Sequence, residues 1–179
     1  MQDYNEVEGW VLDEHGMFYR QAARVVLFDK DGRVLLIRGH DADNPTRYWW
    51  FTVGGGLHTG EAPRQGAMRE VQEETGISLT AEALKGPVLR RSALFDFMAG
   101  TRRQDEVFFI ATLDSHHEVS QAGWTDAERQ VLDEYRWWDM DDLDQAIAEG
   151  LCLYPRGLET RLREWKQGWD GHCEVLTED

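Results

Sequence analysis

The apolar positions early in the chain form short runs that are separated by polar turns. Residues 22–28 and 33–38 are rich in Val, Leu and Ile, and residues 29–32 between them read Asp-Lys-Asp-Gly. Asp and Gly favour a tight turn between two strands, so the pattern predicts a β-hairpin. A polar loop is expected at residues 39–47, before an aromatic run at residues 48–53 that leads into three consecutive glycines.

The next segment has the features of a helix. Pro63 suits the first turn of a helix, and Gly76 suits a left-handed C-terminal cap. Further patterns predict strands at residues 88–97, 106–113 and 135–139, and helices at residues 141–148 and 157–167. Strands and helices therefore alternate within an α/β domain. We expect residues 1–179 to form one domain, with its core at about residues 20–150 and a C-terminal helix at about residues 155–168, and with residues 171–179 frayed.

Three acidic residues stand near the end of the first predicted helix. At about 100° per residue, Glu70, Glu73 and Glu74 fall within roughly a third of the helix circumference. Like charges at this spacing repel, and acids near a helix C-terminus also oppose the helix dipole. Gly66 lies under the same face, and we expect its missing side chain to leave room for a ligand.

A divalent cation would remove both penalties. Magnesium takes oxygen ligands and is commonly held by carboxylates together with substrate phosphates. The alternative is a solvated acidic helix face, which accounts for most clusters of glutamate. The acids alone leave both interpretations open.

Composition limits the partners. The chain carries 19 basic and 34 acidic residues, a net charge of −15. This charge disfavours nonspecific binding to nucleic acid polymers or to anionic membranes. No apolar run approaches the length of a membrane span, and the start of the chain does not resemble a signal peptide, so we expect a soluble, cytoplasmic protein. Cys152 and Cys173 are expected to be reduced thiols.

Residues 55–77, GGLHTGEAPRQGAMREVQEETGI, resemble the signature of the Nudix hydrolases. That signature reads Gly, five residues, Glu, seven residues, Arg-Glu, an aliphatic residue, any residue, Glu-Glu, any residue, Gly and an aliphatic residue. Every fixed position is filled here, by Gly55, Glu61, Arg69, Glu70, Val71, Glu73, Glu74, Gly76 and Ile77. So many matches in 23 residues make the resemblance specific.

The resemblance implies a Nudix fold, in which a mixed β-sheet is sandwiched between α-helices. It implies that Glu73 and Glu74 bind Mg²⁺, with Mn²⁺ as a substitute, and that Glu70 is a ligand or the general base. The carbonyl of Gly55 would be a backbone ligand. Arg69, paired with Glu61, would orient the loop and the helix, and it is counted with the catalytic residues.

The general base of this family can also come from a loop beyond the signature. Glu128 is our candidate, because it precedes the aromatic strand, and Glu118 and Glu106 are weaker rivals. An ordinary exposed acid is an equally good interpretation of Glu128.

Three residues are candidates for substrate binding. Arg90 and Arg102 each belong to an arginine pair that could meet phosphates, although surface arginine pairs are often simply solvated. Trp50 could stack on a base, and core packing is the stronger alternative for it.

The function that the resemblance implies is Mg²⁺-dependent hydrolysis of a phosphoanhydride bond. The substrate would be a small nucleotide: a nucleoside triphosphate, or a nucleoside diphosphate linked to another group. The alternative is a catalytically silent Nudix module that senses a nucleotide. The intact set of acids favours the enzyme. The sequence does not identify the substrate, and it leaves a homodimer open.

Overall fold

A computed structural model describes residues 9–42, 44–97 and 100–178. In this part of the chain, nine strands and three α-helices follow one another. The strands are β1 (Val11–Leu12), β2 (Phe18–Phe28), β3 (Val34–Asp41), β4 (Asn44–Phe51), β5 (Val53–Gly56), β6 (Lys85–Phe97), β7 (Gly100–Thr112), β8 (Leu132–Trp138) and β9 (Glu174–Glu178). The helices are α1 (Pro63–Thr75), α2 (Met140–Ala148) and α3 (Leu158–Gln167). Two short 3₁₀-helices, Ala81–Ala83 and Glu128–Gln130, lie in the connections.

The strands form one mixed sheet, in the order β4-β3-β2-β7-β6-β9. β2 pairs in parallel with β7 along its whole length, and β6 pairs in parallel with β9. The predicted hairpin of β2 and β3 is present, but these two strands pair only at Phe28 and Val34. Further from the turn, β2 pairs instead with β5, where Ala23 lies opposite Gly55. The separation of β2 from β3 therefore brings the glycine-rich strand β5 alongside β2.

Alternate residues of the strands enter two separate cores, because successive side chains point to opposite faces of a sheet. Val25 and Leu27 pack with Ala67 and Val71 of α1. Val26 and Phe28 pack in the other core, which includes residues of α2 and α3 such as Leu143 and Leu162. The sheet is thus covered by helices on both faces, and the predicted fold class is confirmed.

Two local expectations differ from the structure. The segment predicted as a loop at residues 39–47 is largely strand, because β3 continues to Asp41 and β4 begins at Asn44. Polar side chains are tolerated there because most of this part of β4 is exposed at an edge of the sheet. The prediction that the C-terminus frays is wrong for residues 174–178, which pair with β6 from Leu89 to Ala93.

Two other sequence-based expectations concern the thiols and the membrane. Cys152 and Cys173 are both free, as predicted. Among the helices that the structure describes, none is both long and apolar enough to cross a membrane.

Candidate active site

Helix α1 begins and ends where the sequence predicts. Pro63 occupies its first turn, and Gly76 follows the last residue with a φ of 77°. This left-handed conformation is readily available to glycine and lets the Gly76 N–H bond to the Gln72 carbonyl. Ala67 and Val71 anchor the helix on the sheet, so the neighbouring acidic side chains have fixed surroundings.

Glu74 lies beneath the helix against β5. It is only 5% exposed, and its Oε2 accepts a hydrogen bond of 2.8 Å from the N–H of Gly54. Burial, together with the neighbouring charge of Glu70, raises the pKa of Glu74 to about 8. At neutral pH this carboxyl therefore holds a proton unless a cation takes its place.

Glu70 shares this environment. It is 8% exposed, and its carboxylate lies so close to Gly55 that a Cβ at residue 55 would be 2.7 Å from Oε2. A side chain at residue 55 would therefore displace the carboxylate. Burial raises the pKa of Glu70 above its ordinary value, even though a hydrogen bond from Arg69 opposes the shift. Two buried carboxyl groups thus adjoin the glycines of β5.

Arg69 connects the loop before the helix to the acidic residues. Its Nε and Nη2 each donate to the Glu61 carboxylate at 2.8 Å, and Nη2 also donates to the Gly56 carbonyl at 2.9 Å. Its Nη1 donates to Glu70 at 2.7 Å and to Glu73 at 2.9 Å. The hydrogen bonds from Arg69 lower the pKa of Glu61 to about 2, and they raise the pKa of Arg69 itself. The side chain of Glu73 is 53% exposed.

A second group of buried charges lies next to this cluster. Arg24 donates from Nε to Glu106 at 2.9 Å and from Nη1 to the Gly54 carbonyl at 2.5 Å. Arg91 donates to the other oxygen of Glu106 at 2.6 Å, and it also bonds to Glu178. Burial by itself would raise the pKa of Glu106, but the charges of Arg24 and Arg91 outweigh it, and the pKa is lowered. Glu106 is thus held between two arginines.

Glu128, the candidate base, lies in the segment that connects β7 to β8. Its Oε2 accepts hydrogen bonds from the N–H of Thr125 at 2.6 Å and from the Thr125 hydroxyl at 2.8 Å. The Thr125 hydroxyl in turn accepts from the Glu128 N–H at 3.2 Å, so the two residues form a capping box. The segment that carries Glu128 bonds to the end of α1, where the Ser120 N–H donates to the Thr75 carbonyl at 3.0 Å. The charge of Glu128 adds to the burial and to the Glu70 charge, which are the larger causes of the raised pKa of Glu74. Glu118, the other rival, is exposed.

The three predicted substrate-binding residues lie on three different strands, β4, β6 and β7. Trp50 is buried in the core on the opposite face from α1, with its ring edge-on to Trp138 at 5.2 Å. The structure therefore shows a packing role for Trp50. Arg90 is exposed on β6. The guanidinium of Arg102 lies 5.3 Å from the ring centroid of Trp10, near the start of β2.

Two residues that sequence reasoning missed adjoin the cluster. Arg24 interrupts the apolar run of residues 22–28, which was the available signal, and its side chain is only 12% exposed in the structure. Tyr135 donates a hydrogen bond from its hydroxyl to the Glu74 carbonyl, and nothing in the local pattern distinguished it from a core aromatic.

The residues present fit a divalent cation by their chemistry. Glu70 and Glu74 are buried carboxyl groups with raised pKa values, and hard cations such as Mg²⁺ prefer carboxylate oxygens. Within the described residues, no group of three or more His, Cys, Asp or Glu side chains is already arranged to hold a metal ion. The positions of the acids explain this: Glu73 turns outward and, like Glu70, bonds to Arg69.

Gly66 does not leave the space for a ligand that we expected. A Cβ at residue 66 would be 2.2 Å from Cδ2 of Leu57, so the absent side chain makes room for Leu57.

Comparison with known proteins gives consistent results. The sequence profile of the NUDIX domain matches residues 18–155. The uncharacterized Nudix hydrolase YvcI of Bacillus subtilis is 37% identical over 70 residues, which are 39% of this chain and 41% of that protein. An RNA pyrophosphohydrolase of Erythrobacter litoralis is 28% identical over 145 residues, which are 76% of this chain and 85% of that protein. The match thus spans less than half of the first relative and most of the second.

Solved structures share the fold. A mutator MutT protein from Bacillus halodurans has a TM-score of 0.56 and 20% identity, over 88% of this chain and 89% of that chain. The dihydroneopterin triphosphate pyrophosphohydrolase of E. coli has a TM-score of 0.54 and 23% identity, over 83% of this chain and 97% of that chain.

Proposed function

This chain belongs to the Nudix family, and on that basis we propose that it is a hydrolase that splits a phosphoanhydride bond of a nucleotide with the help of Mg²⁺. The substrate class is a nucleoside triphosphate, or a nucleoside diphosphate linked to another group. The named relatives support this reaction class, because two of them are pyrophosphohydrolases.

The observation that carries the proposal is the pair of buried carboxyl groups against β5. Burial raises the pKa of Glu74 to about 8, and it raises the pKa of Glu70 as well. The nearby arginines therefore do not fully compensate for the burial of these two carboxyl groups. A divalent cation supplies positive charge, neutralises phosphate oxygens and lowers the pKa of a bound water. We assign the ligand roles to Glu70, Glu73, Glu74 and the carbonyl of Gly55.

The remaining residues position these groups and move the proton. Arg69 holds the loop to the helix through Glu61 and the Gly56 carbonyl, and it joins Glu70 to Glu73. When water attacks a phosphorus atom and the P–O–P bond breaks, a carboxylate accepts the water proton. Glu128 and Glu70 are the two candidates for this base. We favour Glu128, since Glu70 is already assigned as a metal ligand and is paired with the Arg69 guanidinium, whereas the Glu128 carboxylate accepts from the neutral residue Thr125 through Oε2.

The test is a screen that identifies products. Purified protein is incubated with Mg²⁺ or Mn²⁺ and with nucleoside triphosphates, dinucleoside polyphosphates, ADP-ribose or nucleotide sugars. We expect hydrolysis of at least one substrate and at least about a 100-fold loss of rate for Glu74→Gln. If no nucleotide product is released and a nucleotide still binds, the chain is a sensor and the proposal is wrong.

RNA with a 5′-triphosphate belongs in the same screen, because one relative is named an RNA pyrophosphohydrolase. The net charge of −15 disfavours a polymer, so we expect the free nucleotide to be the better substrate. A higher kcat/KM on the RNA, at matched salt concentration, would refute the expectation of no nucleic acid partner.

A further inference from the structure

The C-terminal end of α1 is covered by the segment that carries Glu128. The last carbonyl groups of a helix have no partners within the helix, so they need external donors. The Ser120 N–H donates to the Thr75 carbonyl at 3.0 Å. Gly123 also lies against the helix backbone, where a Cβ at residue 123 would be 1.9 Å from the carbonyl oxygen of Glu73. Residues 120–123 therefore contact the last turn of the metal-binding helix directly.

A chain of two hydrogen bonds strengthens this contact. The indole N–H of Trp124 donates to the hydroxyl oxygen of Tyr135, and the Tyr135 hydroxyl donates to the carbonyl of Glu74. The rings of Trp124 and Tyr135 also pack together, with centroids 5.2 Å apart. Both bonds are partly buried, and Trp124 is 7% exposed, so competition from water is reduced.

Glu128 is attached to the same chain through its neighbour in sequence. Thr125 follows Trp124 directly, and the capping box between Thr125 and Glu128 fixes the Glu128 carboxylate within its turn. The position of Trp124 thus determines the position of Glu128. Trp124 is in turn linked through the Tyr135 hydroxyl to the backbone carbonyl of Glu74.

We propose that Tyr135, together with Trp124, is a positioning residue that holds Glu128 at the acidic cluster of α1. This inference rests on the proposed function, since it assigns Glu128 as the base of that reaction. Tyr135 acts on the reaction through Glu128, because its own bond to Glu74 is made to the backbone carbonyl and leaves the carboxylate untouched. Its removal leaves the ligand set in place, and the base becomes poorly placed.

The test is a double-mutant cycle on the full chain, with Mg²⁺ and the best substrate of the screen. Glu128→Gln removes the base, while the capping box is kept, because Gln serves as well as Glu at that position. We expect Tyr135→Phe to lower kcat about 10-fold or more in the wild-type background, with KM changed less than 2-fold. In the Glu128→Gln background the same substitution should change kcat less than 2-fold. The inference would be overturned if Tyr135→Phe lowered kcat equally in the wild-type and Glu128→Gln backgrounds, or if it did not lower kcat in the wild-type background.

Trp137→Phe is a matched control. Trp137 lies two residues further along β8, and its indole N–H donates at 3.1 Å to the carbonyl of His117, in the same connecting segment. This hydrogen bond involves neither Glu128 nor Glu74, and we expect kcat to stay within 2-fold. Gly123→Ala provides an independent variant, because the added methyl group forces the segment away from the helix. Its loss of kcat should also disappear in the Glu128→Gln background, and persistence of that loss would count against the inference.

A second measurement separates this inference from the proposed function. If wild-type protein hydrolyses none of the substrates, the proposed function is wrong. Amide hydrogen exchange without substrate then measures whether Tyr135 couples the segment of Glu128 to the last turn of α1. Tyr135→Phe should speed exchange both in residues 120–130 and in the last turn of α1, whereas Trp137→Phe should leave the last turn unchanged. Unchanged exchange at either place in Tyr135→Phe would overturn the inference.

Discussion

Glu74 and Glu106 are two glutamates with nearly the same burial and with opposite pKa shifts. They are 5% and 3% exposed. Glu106 lies between Arg24 and Arg91, and its pKa is lowered, whereas Glu74 lies beside Glu70, and its pKa is raised to about 8. Burial alone would raise both. The comparison shows that the neighbours of a buried carboxyl decide its pKa: two arginines lower it, and a second acid raises it.

The largest effect that tests this comparison is the loss of hydrolysis in Glu74→Gln. The amide oxygen still accepts the hydrogen bond from Gly54, but the negative charge is gone, so we expect kcat/KM to fall by roughly 10³- to 10⁴-fold. Metal-free stability in urea at pH 7 should not decrease, because a neutral amide replaces a carboxyl that is protonated in the metal-free protein. The exposed Glu82→Gln is the control, and retention of at least half of the wild-type rate by Glu74→Gln would contradict the assignment.

Glu106→Gln should lower the stability of the fold, in contrast to Glu74→Gln, which should lower the rate of hydrolysis. The Glu106 substitution leaves Arg24 and Arg91 buried without their shared counter-ion, and breaking such a pair typically costs about 3–5 kcal/mol of stability. Urea unfolding should show this loss equally with and without Mg²⁺. A loss under about 1 kcal/mol would show that Glu106 is not needed to balance these arginines.

The pH dependence of the metal-free protein should reveal the raised pKa of Glu74. Its folded pKa of about 8 lies above the ordinary value of 4.5, so the folded state binds more protons between these values and its stability falls as pH rises. We expect a decrease of a few kcal/mol in the free energy of unfolding between pH 5 and pH 9, measured in urea with a chelator. Glu74→Gln, or saturating Mg²⁺, should flatten this decrease. A flat profile in the metal-free wild type would contradict the shift.

Glu61→Gln should give the smallest effect. Its pKa of about 2 lies below the ordinary value of 4.5, so its stabilisation is complete above pH 4.5 and is lost as pH falls toward 2. Loss of the charge weakens two hydrogen bonds from Arg69, and we expect thermal unfolding at pH 7 to show about 2 kcal/mol of destabilisation. The difference between variant and wild type should shrink below pH 4. A difference that is constant from pH 7 to pH 2 would exclude the charge as its source.

Local patterns were enough to predict much of this protein. Sequence neighbours alone define the turn at residues 29–32, the helix from Pro63 to Gly76 and the spacing of its three glutamates. Glu70, Glu73 and Glu74 also belong to the family signature. Core packing was also the stronger interpretation of Trp50, but the face of the sheet that its ring takes was not predictable. That face depends on how β4 pairs with β3, which places Trp50 opposite Arg38 and in the core of the α2 side.

The sequence by itself determined the acidic helix, the glycines beside it and the class of chemistry, because these follow from residue type and short-range spacing. Only the tertiary structure decided which acids are neutralised inside the fold. Glu106 meets Arg24 because β2 and β7 pair in parallel, and Tyr135 reaches the Glu74 carbonyl across 61 residues of chain. Long-range pairing places these partners, and the period of a strand or a helix carries no information about which segment lies beside it.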